Sequence, residues 1–191
     1  DDPRAKKMIE NHFFAETEQM ILKRLRASTD SEQGRADLIR STGIDDKQLI
    51  DEMAQLGIRA EGVLALRLLP LVLVAWAQNH VDPEEHAAVM AEAERLGIEE
   101  DSFAWLLLDA WMRKLPPSKS VDAWKRYMHS VFTKISKPAQ EKLIHTTHQQ
   151  MTAVAKASGG HLGFGKISKQ EKNMIDGLML SLRKQTASED G

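Results

Sequence analysis

One segment limits the folding options of this chain more than any other: the near-continuous apolar run from Gly62 to Ala77, interrupted by Arg67 and Pro70. It falls short of the roughly 20 residues that a bilayer span requires. A helix that is apolar on every side must instead be surrounded by protein. The run therefore predicts a central helix, and the remaining chain must supply the helices that cover it.

The rest of the sequence is suited to that task. Apolar residues recur at helical spacing and no stretch alternates like a strand for long, so the expected class is all-α with no β-sheet. An opening helix spans about Pro3 to Ala27, with Ile9, Phe13, Met20 and Ile21 on and near one face and Phe14 beside it. Two short helices, Glu32 to Ser41 and Asp45 to Leu56, form a hairpin around Thr42-Gly43-Ile44. The apolar run gives a helix over Glu61 to Gln78. Asp82 to Leu96 follows, ended by Gly97, and then Glu99 to Lys114, ended by Pro116-Pro117. Ser120 caps a helix to about Ile135, Ser136 opens one to about Ala157, and Ser168 opens the last, to about Arg183. These make about nine helices, and their short connections favour antiparallel neighbours in a bundle. The expected division is a helical extension over residues 1–60, a bundle over 61–184 and a frayed tail over 185–191.

Composition excludes several functions. With no cysteine in 191 residues there is no disulfide framework, thiolate metal site or cysteine nucleophile. A net charge of −2 argues against a generally basic nucleic-acid binder, although residues 61–115 carry −6 and residues 116–191 carry +6. That dipole has the character to orient two lobes or a partner. The basic residues around Trp124, Lys125, Arg126 and Tyr127 match no helix-turn-helix or stacking array. No membrane span is expected, and a cytoplasmic protein is. The chain opens at Asp1 rather than methionine, which reads as a trimmed start.

Two junctions 86 residues apart share a pattern. The first is Ala75-Trp76-Ala77-Gln78-Asn79-His80-Val81-Asp82-Pro83-Glu84-Glu85. The second is Ala155-Lys156-Ala157-Ser158-Gly159-Gly160, resuming at Lys166-Ile167-Ser168-Lys169-Gln170-Glu171. Each is a helix end, a turn, an aliphatic residue, a capping residue and a glutamate three positions later. Asp82 and Ser168 are thus expected to accept from the third amide of the helix, while Glu85 and Glu171 reach back to the cap's own amide. Val81 and Ile167 occupy the position of a hydrophobic staple.

On these residues the stretch Leu71 to Leu96, with V-A-W-A-Q-N-H-V-D-P-E-E, resembles the tellurite-resistance TerB-like family. That family's pattern is an apolar helix, an Ala-Asp-Gly turn, a Val or Ile, a cap and a glutamate, in two pseudo-symmetric halves. The resemblance covers about Glu61 to Arg183 and implies a compact helical bundle of bacterial, stress-related type. It also implies a metal-responsive or scaffolding role. The sequence departs from the pattern at the turns. Gln78 and Ser158 stand where the family has aspartate, which removes carboxylates that calcium or magnesium would need. Asn79 replaces glycine but tolerates the left-handed conformation.

Other candidates for chemistry are sparse. Gly160-His161-Leu162-Gly163-Phe164-Gly165-Lys166 approaches a phosphate-binding loop, yet Ile167 stands where a hydroxyl must bind magnesium and no strand precedes it. What remains is an anion site from the amides of Gly160, Gly163 and Gly165 with Lys166. Glu141, His145 and His148 share one helical face and are candidate ligands for a divalent metal, as are His80 and His161 at the two turns. No His-Glu-x-x-His, Glu-x-x-His or Gly-x-Ser-x-Gly motif occurs. Trp76, Trp105, Trp111 and Trp124 read as core. The sequence therefore points to a non-catalytic interaction or scaffold module with a protein partner or a second copy, with no resident cofactor. A metal- or anion-binding sensor is the alternative.

Overall fold

The apolar run expected as one helix is two. In a computed structural model, which describes residues 35–36, 47, 51, 63–157 and 165–186, helix α1 spans Val63–Arg67 and α2 spans Leu69–Ala75. Pro70 accounts for the break. It has no N–H to donate, and its ring collides with the carbonyl four residues back in an unbroken helix. The chain tightens instead: Leu68 N–H donates to Ala65 O and Leu71 N–H to Leu68 O, both at 3.0 Å.

Five further helices follow: α3 Pro83–Arg95, α4 Phe103–Arg113, α5 Lys119–Phe132, α6 Lys137–Ala157 and α7 Lys169–Lys184. The described residues are all-helical in their regular structure, with no strand. Contacts arrange α3, α6, α7, α5, α1 and α4, in that order, as a closed ring, and α2 at its centre touches all six. Every residue of α2 is buried, as a wholly apolar helix demands. At about 1.5–3 kcal/mol for each fully buried large aliphatic side chain, this helix contributes strongly to apolar burial for its length.

Local chemistry sets most of the boundaries. At the end of α3, Gly97 adopts φ +86; its N–H reaches Glu94 O at 2.9 Å and Ile98 N–H reaches Ala93 O at 3.0 Å. That pair of bonds is a Schellman closure, sealed by the buried Ile98. The next helix begins at Phe103 rather than Glu99, because Asp101 takes φ +64 and Ser102 caps Trp105 N–H at 3.2 Å. Ser120 is not a cap. It lies within the first turn of α5, buried, and donates its hydroxyl to Pro117 O at 2.6 Å. Ser136 Oγ accepts from Ala139 N–H at 3.3 Å at the start of α6, and buried Gln140 donates to Phe132 O at 2.9 Å, closing the end of α5.

The chain divides into two compact units, residues 1–60 and 61–191. In the first, Arg35, Ala36, Lys47 and Asp51 are helical, and Arg35 Nε lies 3.2 Å from Asp51 Oδ1. The expected opening helix with Phe13 and the hairpin turn lie outside the described residues. The tail is better anchored than expected at its first residue: Gln185 O accepts from His129 Nδ1 at 2.9 Å, and Gln185 Nε2 donates to Ser181 O. No helix among the described residues is long and apolar enough to cross a membrane.

Candidate functional site

The two junctions that the sequence singles out carry the same hydrogen bonds. At the start of α3, Glu85 N–H donates to Asp82 Oδ1 at 2.8 Å and Asp82 N–H donates to Glu85 Oε1 at 3.2 Å. At the start of α7, Glu171 N–H donates to Ser168 Oγ at 3.1 Å and Ser168 N–H to Glu171 Oε1 at 3.0 Å. Pro83 fills the first helical position of α3, where a missing N–H costs nothing. Asn79 supplies the left-handed turn with φ +66. The staple is incomplete: Val81 and Ile167 are half-buried, and the partner positions in the helices hold His86 and Lys172, neither of them apolar.

Burial makes these junctions unusual. Glu85 and Glu171 are each 1% exposed, although glutamate is almost never buried without a partner. Both α3 and α7 pack on α2 and on α6. Helix α2 has no ionisable side chain, and every ionisable residue of α6 faces solvent. Burial is the main force that pushes the Glu85 carboxyl up to about 8; the Asp82 amide opposes it, and the Asp82 carboxylate and Glu171 add to it. Glu85 therefore retains its proton at neutral pH. The second oxygen of Glu171, Oε2, is buried with no hydrogen-bond partner.

The candidate ligands do not gather. His80 is exposed and donates from Nδ1 to Gln78 O at 3.0 Å. Glu141 is bonded to Arg183 across to α7 at 3.3 Å, and His145 and His148 are exposed. Among the described residues no three His, Asp or Glu side chains are grouped so as to hold a metal ion. His161, Gly160 and Gly163 lie outside the described residues. Gly165 takes φ +80 and Lys166 is exposed. The amino end of α7 beside them already holds the Glu171 carboxyl, which repels an incoming anion.

Two arrangements escape the sequence. His86 Nε2 lies 2.8 Å from Asp109 Oδ1, and Arg113 Nε donates to Asp109 Oδ2 at 3.0 Å. The His86 hydrogen bond chiefly holds the Asp109 carboxyl below its ordinary range, with burial opposing and Arg113 assisting. A histidine oriented by an aspartate is two parts of a nucleophilic triad, but no hydroxyl hydrogen-bonds His86 among the described residues. The other is a cleft of about 500 Å³ between α1, α3 and α6, lined by Arg67, Glu92, Arg95, Leu96, Thr146, Gln149, Gln150 and Ala153. Neither has a signature, since each joins residues from separate helices.

Comparison with protein-family models, curated proteins and solved structures finds no match for this chain.

Proposed function

We propose that this protein is a non-catalytic interaction or scaffold module, cytoplasmic and TerB-like in its paired junctions. One observation carries the reading: the acidic groups of both junctions are committed to holding helix ends. Glu85 and Glu171 close capping boxes inside the bundle rather than lining an open site. The His86–Asp109–Arg113 trio similarly ties α3 to α4. A frame fixed this way favours presenting a surface over turning over a substrate. Gentle purification of the intact chain from its source cell, with light scattering, tests it. A partner or second copy at fixed stoichiometry is expected, and a chain that elutes alone as a monomer contradicts it.

The unpartnered Glu171 Oε2 favours a second reading, a sensor in which a cation enters at the junctions. Thermal unfolding with zinc, with calcium and with EDTA separates the two, because a ligand that binds the native state alone raises the midpoint. An unchanged midpoint with every ion rejects the sensor.

A further inference from the structure

We propose that the cleft between α1, α3 and α6 is a carboxylate-binding site centred on the guanidinium of Arg67. Arg67 ends α1, is half-buried, and makes no side-chain hydrogen bond or ion pair with the described residues; its charge is felt at the half-buried Tyr127 hydroxyl. The other arginine of the cleft is already engaged. Arg95 pairs with Glu92, whose second oxygen accepts from Gln150 Nε2 at 3.3 Å. Glu92 and Arg95 thus answer each other, and the charge of Arg67 is left over.

The chemistry of the lining selects the ligand. A guanidinium offers a planar fork of donors that a carboxylate meets with two parallel hydrogen bonds. One residual positive charge matches one monoanion, whereas a phosphate dianion brings a second charge towards Glu92. Thr146 and Gln149, one turn apart on α6, add neutral hydrogen-bonding groups, and Leu96 and Ala153 offer apolar wall to an aliphatic stem. The end of α3 would repel an anion if its carbonyls were open, but Gly97 and Ile98 close two of them. The volume of about 500 Å³ lies within the roughly 300–1,000 Å³ typical of ligand pockets. This inference is independent of the junction reading, so either can fail alone.

The test is a titration of the full isotope-labelled chain, followed by NMR at the Gln149 and Gln150 side-chain amides and Arg67 Nε. Three probes are used: propionate, a blocked Ala-Glu-Ala peptide, and inorganic phosphate. The expected result is saturable binding of propionate at roughly millimolar Kd, in line with the affinity available to so few atoms. Arg67→Gln should weaken it about tenfold or more, the loss expected for a charged two-bond contact. Arg67→Lys should weaken it less, and Gln149→Ala by a few-fold, with phosphate binding more weakly than propionate. Tighter binding of the peptide than of propionate identifies a protein-borne carboxylate as the source, and equal or weaker binding a free acid; both support the site. Absence of saturation, affinity unchanged in Arg67→Gln, or phosphate binding tighter than propionate overturns it. If Arg67→Gln fails to fold, unchanged affinity in both Arg67→Lys and Gln149→Ala overturns it equally.

Discussion

Replacing Glu85 with glutamine should make the bundle more stable, and increasingly so as pH rises. Below pH 4.5 the glutamate holds its proton in both the folded and the unfolded chain, so the pair of proteins should differ little. Between 4.5 and about 8 the unfolded chain has lost that proton while the buried Glu85 keeps it. Unfolding then releases a proton, and each rise in pH favours the unfolded state. Above about 8 both forms are ionised and the loss levels off. At about 1.4 kcal/mol per pH unit, the interval from 4.5 to about 8 sets a ceiling of roughly 5 kcal/mol on the penalty. Glutamine resembles the protonated glutamate: its carbonyl still accepts from Asp82 N–H, and its amide can donate to the Asp82 carboxylate, the side-chain partner of Glu85. Urea unfolding of both proteins between pH 4 and pH 9, read by tryptophan fluorescence, should show the curves separating by about 3–5 kcal/mol by pH 8. A difference that does not change with pH, or a less stable Glu85→Gln protein at pH 8, would refute the buried-proton reasoning.

Asp109 should behave oppositely, because its carboxyl is held low chiefly by His86. Its contribution is present above the ordinary 3.8 and is lost as pH falls through the lower folded value, so Asp109→Asn should flatten the acid limb of the stability curve. Ser168→Ala should cost about 1 kcal/mol, the usual loss for an N-cap, measured as a lower denaturant midpoint with unchanged slope. Asn79 has φ +66, so Asn79→Gly should be neutral or stabilising while Asn79→Ala should cost about 1–2 kcal/mol, both by thermal unfolding.

What could be read in advance was whatever depends on near neighbours in sequence. The apolar run announced the central helix α2, and the two cap-to-glutamate spacings announced the starts of α3 and α7 to the residue. Local competition accounts for the misplacements. Pro70 was visible, yet its effect was to split the helix at Leu68 rather than to be absorbed in it. Ser120 had the right chemistry for a cap, but the helix already begins at Lys119, and inside its first turn the Ser120 hydroxyl donates to Pro117 O instead of accepting from an amide. The candidate sites were less legible because they depend on the closing of the ring. Nothing in the spacing of His86 and Asp109, or of Arg67 and Gln149, shows that helix packing brings them together. Burial of the Glu85 and Glu171 carboxyls is likewise a property of α2 and α6, not of the capping motif.

The paired junctions bury their capping glutamates within electrostatic reach of each other in an apolar interior. A carboxyl-carbon NMR titration of Glu85 in the intact chain tests it directly. The expected midpoint lies near 8 and falls when Glu171 is changed to glutamine. A midpoint near the ordinary 4.5, or one unmoved by Glu171→Gln, contradicts it.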